Sequence, residues 1–116
     1  MPGTQVNLMF RAFSDRTRLR ILHLLSEGEL CVGDLVGVLR VPQPTASRHL
    51  AYLRRAGLVV TRKNGQWNFY KLAQAQSSFH KHLLGCLKGC FHDVPELEKD
   101  SKSAAKRRRF GGCCPP

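Results

Sequence analysis

Residues 41–60 read V-P-Q-P-T-A-S-R-H-L-A-Y-L-R-R-A-G-L-V-V, and this stretch decides the fold. Ala46, Leu50 and Leu53 recur at i, i+4 and i+7, the spacing at which one face of an amphipathic helix is buried. Two prolines at the start of the stretch and a glycine near its end favour a helix between them. The spacing therefore predicts a helix of about four turns whose apolar face packs on a core.

The opposite face of this helix carries hydrogen-bond donors and no carboxylate. Its members are Gln43, Thr45, Ser47, Arg48, His49 and Tyr52. Such a set suits phosphate oxygens and the edges of DNA bases, which proteins read through hydrogen bonds. A solvated surface helix would have the same composition, so the choice between the two interpretations depends on the rest of the chain.

Length and charge describe one small basic domain. With 116 residues, of which 42% are hydrophobic, the chain has enough apolar material for a modest core. Its formal net charge is +11, and such a balance is typical of proteins with a polyanionic partner. Five of the Lys and Arg residues lie in residues 101–116, which contain no Asp or Glu. We expect a domain over residues 1–100 and a basic, cysteine-containing flexible tail over residues 101–116.

The chain has no features of a membrane or secreted protein. No stretch approaches the length of an apolar membrane span, and the N-terminus lacks the pattern of a signal peptide. We expect a cytoplasmic protein whose five cysteines are reduced thiols, available as metal ligands. No P-loop, H-E-x-x-H or CxxC motif is present, so we expect it not to be an enzyme.

Two further patterns surround residues 41–60. Apolar periodicity predicts helices at residues 6–13, 15–26 and 29–39, and a tight connection joins the last of these to residues 41–60. A short helix, a short turn and a polar-faced helix are typical of a helix-turn-helix.

A β-hairpin is predicted next. Residues 58–62 and 66–72 are β-prone and are joined by Lys63-Asn64-Gly65, in which Asn-Gly is a strong hairpin signal. The cationic tip, including Arg62 and Lys63, could contact DNA as a wing or could be an ordinary solvated turn.

Residues 77–94 return to helical periodicity, with a helix end expected near residue 92 because of Pro95. Since this helix and the first are apolar and lie outside the helix-turn-helix, we expect them to pair with a second copy. The predicted fold is mainly α with a β-hairpin: a homodimeric winged helix-turn-helix of about five helices and a two-stranded wing.

Four segments together resemble one known family. They are S-D-R-T-R-L-R-I-L-H-L-L, E-L-C-V-G-D-L, Q-P-T-A-S-R-H-L-A-Y-L-R-R-A-G-L-V and R-K-N-G-Q-W-N-F-Y-K-L. Their order and spacing resemble the ArsR/SmtB family of dimeric winged-helix metal-sensing repressors, over roughly residues 5–95. The resemblance implies a repressor that holds double-stranded operator DNA when metal-free and releases it when an inducer binds. The DNA-binding residues that it implies are Gln43, Thr45, Ser47, Arg48 and His49 in the recognition helix and Arg62 and Lys63 in the wing.

The best-known arsenic site of that family has the pattern E-L-C-V-C-D-L-C. Here the stretch reads E-L-C-V-G-D-L-V, so Gly33 and Val36 replace two of the three thiols. That site cannot be assembled, and Cys31 alone is interpreted as a small buried residue.

Four other cysteines offer a thiol site. Cys86 and Cys90 are i and i+4 on one predicted helix, so both sulfurs can converge on one soft ion, although the same positions could also pack in a core. Cys113 and Cys114 follow a Gly-Gly pair that would let the tail fold back. We predict a metal site of these four thiols for trivalent arsenic or antimony. Inorganic trivalent arsenic takes three thiolates, whereas a methylated trivalent arsenical needs only two.

Two alternatives remain open. The zinc-sensing branch of the family has D-x-H-x10-H-x-x-E/H on its last helix, and that spacing selects His80, His82, Asp93 and Glu96 here, with zinc or a similar divalent ion as inducer. The second alternative is a metal-independent architectural DNA-binding protein that uses the basic tail. DNA binding itself is expected to require no cofactor in any of these cases.

Overall fold

The computed structural model describes residues 2–110, which form six helices and three strands. In chain order the elements are α1 (Gly3–Phe13), α2 (Arg16–Leu25), β1 (Leu30–Cys31), α3 (Val32–Leu39), α4 (Gln43–Arg55), β2 (Val59–Asn64), β3 (Trp67–Leu72), α5 (Ser78–Gly89) and α6 (Pro95–Phe110). No helix within these residues is both long and apolar enough to cross a membrane.

The core lies between α2, α3 and α4. The N-cap of α2 is Asp15, whose side chain accepts a hydrogen bond from the Arg18 backbone N–H. Because aspartate satisfies one of the unpaired amides of a helix start, it is a preferred cap. α3 ends at Arg40, which has a left-handed backbone with φ 56°. This reversal lets α4 begin after a short turn, as the predicted helix-turn-helix requires.

The wing is confirmed and gains a third strand. β2 and β3 are antiparallel, with Val59 opposite Leu72 and Asn64 opposite Trp67. The turn therefore falls on Gly65-Gln66, and Gly65 takes φ +62°, a conformation that glycine adopts without strain. The two residues of β1 pair with the other edge of β3, giving the order β1-β3-β2. They were expected to be helical, and they pair with β3 instead because α3 starts only at Val32.

α5 is shorter than expected. Its N-cap is Ser77, which accepts a hydrogen bond from the His80 backbone N–H, and the helix ends at Gly89 rather than near residue 92. Glycine and the turn that precedes α6 end it before Pro95 can do so.

α6 contradicts the expectation of a flexible tail from residue 101, and it raises the helix number from about five to six within residues 2–110. The helix packs against α2 and α3, and it buries Leu97, Asp100 and Ala104. Arg20 of α2 binds both oxygens of Asp100 at 2.8 and 2.9 Å. The expected boundary at residue 100 thus falls inside a docked helix, while residues 111–116 lie outside the described residues.

Candidate nucleic-acid interface and thiol pair

α4 presents the two faces that its sequence predicts. Ala46, Leu50 and Leu53 are fully buried. Gln43, Ser47 and Arg48 are exposed on the other side. The apolar stripe thus fixes the helix on the core, and the donors face solvent where a duplex could approach.

The other two recognition-helix candidates, Thr45 and His49, are half-buried. The Nδ1 atom of His49 lies 3.8 Å from the Oδ2 atom of Asp15, the residue that caps α2. Burial alone would raise the pKa of Asp15, but the hydrogen bond from the Arg18 backbone and the charge of His49 hold that pKa below its usual value. His49 therefore connects the recognition helix to the start of α2.

A cluster of arginines around Tyr52 was not recognised in the sequence. The Arg18 guanidinium lies 4.1 Å from the centre of the Tyr52 ring, and that of Arg55 lies 5.4 Å from it. Arg18 also donates to the backbone carbonyls of Arg11 and Ala12. Cations stack on aromatic faces because the ring carries negative charge there. The cluster adds fixed positive charge beside α4, and no local spacing could reveal it because Arg18 belongs to another helix.

The wing places its two candidate cations differently. Arg62 binds Glu29 through its Nε and Nη2 atoms, with a shortest distance of 2.7 Å, and lies 4.4 Å over the Phe69 ring. The hydrogen bond with Glu29 raises the pKa of Arg62. Lys63 is exposed near the tip. Lys63 thus points to solvent, whereas Arg62 already has a carboxylate partner.

Cys86 lies in the last turn of α5 and Cys90 is the C-cap of that helix. Both are exposed free thiols, with their sulfur atoms 3.3 Å apart. The alternative that they pack in the core is therefore wrong for this protomer. Cys90 donates a hydrogen bond to Cys86, and this bond raises the pKa of Cys90. The remaining predicted ligands, Cys113 and Cys114, lie outside the described residues.

Cys31 is buried, as expected, at the N-cap of α3, where its sulfur accepts a hydrogen bond from the Asp34 backbone N–H. It is disulfide-bonded, so the expectation that every cysteine is a reduced thiol is wrong at this position.

The alternative zinc site does not form in the protomer. His80 is fully buried, its Nδ1 atom accepts a hydrogen bond from the Gln76 backbone, and burial lowers its pKa. Glu96 is paired with Arg16 and lies 3.7 Å from Arg20. Within residues 2–110, no group of three or more His, Cys, Asp or Glu side chains could hold a metal ion. His82 and Asp93 are exposed and do not complete such a group.

The cations of α6 are partly used inside the protein. Arg107 binds Asp34 of α3 at 3.1 Å. Arg108 donates to the carbonyls of Leu24 and Gly28, at 3.2 and 2.8 Å, and its burial lowers its pKa. These contacts fasten the second half of α6 to the end of α2 and to α3, so two of the five charges assigned to a DNA-binding tail stabilise the fold instead.

Comparison with known proteins fits this geometry. A family model described as "Bacterial regulatory protein, arsR family" matches residues 15–61, from the cap of α2 into β2. HlyU from Vibrio cholerae, named a transcriptional activator, has a solved structure that is 39% identical, with a TM-score of 0.65, and the match covers 73% of this chain and 89% of that one. The chain belongs to the ArsR family.

Two other ArsR-family comparisons bear on function. The arsenical resistance operon repressor of Escherichia coli K12 is 53% identical over 66 residues, 56% of this chain and 56% of that protein. The chain thus spans little more than half the length of that repressor. Mb0332 from Mycobacterium bovis is described as a homodimeric winged helix-turn-helix DNA-binding domain. Its structure is 23% identical in sequence, with a TM-score of 0.63, and the match covers 97% of this chain and 89% of Mb0332. At this identity the likeness supports the fold and nothing further. Members of this family are DNA-binding regulators of transcription and not enzymes.

Proposed function

We propose that this ArsR-family protein is a cytoplasmic homodimeric repressor that releases its operator DNA when a trivalent arsenical binds its cysteine thiolates. The inducers are arsenite, antimonite and methylarsenite. The observation that carries the proposal is the exposed Cys86–Cys90 pair, whose sulfurs lie 3.3 Å apart. Two thiols at this distance can bind one soft ion together. The name of the Escherichia coli relative, an arsenical resistance operon repressor, supports the same inducer class.

In this proposal α4 enters the major groove of the operator. Arg48 is exposed on its outward face and carries the fork of donors that recognises guanine. Gln43 and Ser47 add contacts from the same face, while Thr45 and His49 are closer to the core. Lys63 of the wing would contact the phosphate backbone, which carries no sequence information.

The surface formed by α1 and α5 supports a dimer. Phe10 of α1 is 55% exposed, and its ring centre lies 5.1 Å from that of Phe79 on α5. Phe79 is half-buried, so Phe10 is the exposed ring of this pair, and a second copy of the chain would cover it. Cys86 lies farther along α5, and Cys90 is the C-cap of the same helix. An arsenical on α5 would therefore act close to the subunit contact that sets the distance between the two recognition helices.

Operator release tests this proposal. A labelled duplex from the protein's own promoter is titrated with the reduced full-length chain, and arsenite, methylarsenite, antimonite and zinc are then added separately while fluorescence anisotropy is measured. We expect the arsenicals to release the duplex from the unsubstituted protein and to leave it bound to Cys86→Ser/Cys90→Ser. Release by zinc alone would contradict the proposal, as would normal release of the double variant by every arsenical.

The tail thiols are tested in the same assay. Cys113→Ser/Cys114→Ser carries the same number and kind of substitutions, so under reducing conditions, with no disulfide in either variant, it is the matched control for the helix pair. If the tail completes the site for inorganic arsenic, this variant should keep its response to methylarsenite and lose its response to arsenite. A scrambled duplex that binds as tightly as the promoter fragment would instead indicate an architectural DNA-binding protein.

A further inference from the structure

We propose that Arg18 is a positioning residue for operator recognition. It connects the recognition helix α4 to α1, the helix that carries the exposed Phe10, and so sets the spacing of the two recognition helices in a dimer. The Gln5 side chain makes a second connection between the same two helices. This inference rests on the homodimer of the proposed function, and it does not depend on the inducer.

The Arg18 guanidinium binds the C-terminal end of α1. Its Nη2 atom donates to the Arg11 carbonyl at 2.9 Å, and its Nε atom donates to the Ala12 carbonyl at 3.3 Å. The last carbonyls of a helix have no partner within that helix, so an arginine side chain can satisfy them. Both carbonyls directly follow Phe10 in the chain. Arg18 is therefore held next to the ring that a second copy would cover.

The same guanidinium contacts α4. It lies 4.1 Å from the centre of the Tyr52 ring, which is half-buried. The Arg18 backbone N–H donates to Asp15, whose carboxylate lies 3.8 Å from His49. His49 and Tyr52 are three residues apart on one helix, so they are neighbours on its surface. The start of α2 thus contacts α4 at two adjacent positions, and Arg18 takes part in both contacts.

Gln5 connects α1 to the end of α4. Its Nε2 atom donates to the carbonyl of Ala56, the C-cap of α4. Gly57 follows with φ +80°, and a Cβ atom there would lie 3.3 Å from the same Nε2 atom. Glycine both adopts this backbone conformation without strain and leaves room for the Gln5 side chain. α1 is therefore connected to the side of α4 through Arg18 and to its C-terminus through Gln5.

Both connections act on the C-terminal half of α4, whereas the exposed donors Gln43, Ser47 and Arg48 lie in its N-terminal half. α4 has 13 residues, which gives a length of about 20 Å. A tilt of about 10° at the C-terminal end therefore moves the other end by about 3.4 Å, the rise of one base pair along a DNA strand. A small change in these contacts would thus misplace the recognition helices on half-sites one helical turn apart.

Promoter duplexes that differ only in half-site separation test this inference. Footprinting locates the half-sites, and their separation is kept, shortened by one base pair or lengthened by one base pair; a random duplex is the reference. Affinities of the reduced full-length chain are measured by fluorescence anisotropy. Arg18→Lys keeps the charge but loses the planar fork of donors. We expect it to bind the native separation about tenfold more weakly, because a stacking contact and a hydrogen bond are lost.

The pattern across the duplexes distinguishes positioning from a simple loss of affinity. We expect Arg18→Lys to bind the three separations almost equally and to bind the random duplex as the unsubstituted protein does. Arg55→Lys is the matched control. It makes the same substitution beside the same ring, at 5.4 Å, but within α4 itself, so the preference for the native separation should remain.

Substitutions of Tyr52 and Gln5 test the two connections separately. Tyr52→Leu removes the ring and should reproduce the effect of Arg18→Lys, whereas Tyr52→Phe keeps the ring and should keep the spacing preference. The double variant Arg18→Lys/Tyr52→Leu should lose no more than the larger single loss, because both changes remove one contact. Gln5→Ala should weaken the spacing preference in part. Thermal unfolding and sedimentation show whether each variant is a folded dimer.

Each contrary outcome has a distinct meaning. An unchanged spacing preference in Arg18→Lys would refute the inference, as would equal losses on every duplex, which would make Arg18 a phosphate contact. Additive losses in the double variant would show that Arg18 does not act through Tyr52. If Arg18→Lys does not form a folded dimer, Tyr52→Leu decides by the same criteria. A flat spacing profile for the unsubstituted protein would instead refute the homodimer of the proposed function.

Discussion

Replacing Asp100 by alanine tests whether α6 is part of the folded domain. Asp100 is 4% exposed and accepts two hydrogen bonds from Arg20, at 2.8 and 2.9 Å. Removing one partner of a buried ion pair leaves the other charge uncompensated, which costs about 3–5 kcal/mol. The Arg20 side chain keeps 18% exposure and a second carboxylate, Glu96, at 3.7 Å. We therefore expect Asp100→Ala to lower the free energy of unfolding by about 2–3 kcal/mol, below the full penalty.

The assay is thermal unfolding followed by circular dichroism. For a domain of this size the expected loss corresponds to a midpoint roughly 8–12 °C lower. Glu98→Ala is the matched control, because it removes the same charge from the same helix at an exposed position. Its expected cost is below about 1 kcal/mol, from the charge at the start of the helix. If Asp100→Ala and Glu98→Ala unfold at the same temperature, α6 is not docked and the reasoning is refuted.

Three further predictions concern DNA and pH. In anisotropy titrations, Arg48→Ala should weaken binding to the promoter duplex by about 1–3 kcal/mol and leave binding to a random duplex unchanged. Lys63→Ala should weaken binding to both duplexes alike. Equal losses for Arg48→Ala on the two duplexes would reduce the role of Arg48 to a phosphate contact. Glu29→Gln should release Arg62 to bind a DNA phosphate, so that the affinity for DNA rises. The slope of log affinity against log salt concentration should then steepen by about one unit per subunit. An unchanged slope would mean that Arg62 does not reach DNA. Burial lowers the pKa of His80 from 6.5, so the unfolded chain binds more protons than the folded protein as the pH falls through that value. The free energy of unfolding should therefore fall between pH 7.5 and pH 5.5, and it should fall less steeply in His80→Gln. Parallel plots of this free energy against pH for the two proteins would exclude His80 as the cause.

The elements that the sequence predicts well are those with a local signal. The recognition helix follows from Ala46, Leu50 and Leu53, which recur at helical spacing and are all buried. The hairpin follows from an Asn-Gly pair between two β-prone runs, although the turn itself lies one residue later than the pair suggests. The closeness of Cys86 and Cys90 follows from their i, i+4 spacing. Their exposure does not, because it depends on which face of α5 the rest of the chain covers.

α6 could not be recognised because only part of its buried face is apolar. Leu97, Asp100 and Ala104 occupy the buried positions, so hydropathy shows no helical period, and the exposed positions are mostly charged. The helix is held by partners that no local pattern reveals, such as Arg20 for Asp100. The same limit explains Arg62, whose carboxylate partner Glu29 lies 33 residues earlier. The family resemblance implied that Arg62 contacts DNA, and charge composition implied the same for Arg107 and Arg108, whereas their partners in the fold decide which of them remain available.

The long-range hydrogen bonds of α6 also determine the order in which this protein can complete its fold. Arg20 and Asp100 are 80 residues apart, as are Gly28 and Arg108. At about 5–20 residues per second, a ribosome needs roughly 4–16 s to add that length of chain. During that interval the helix-turn-helix can fold through local contacts. The arginines of α2 remain unpaired, because their carboxylate partners have not yet been synthesised. Docking of α6 is therefore the late, long-range step, and a chain that stops before Asp100 exposes the unpaired cationic side of α2 to any acidic surface nearby.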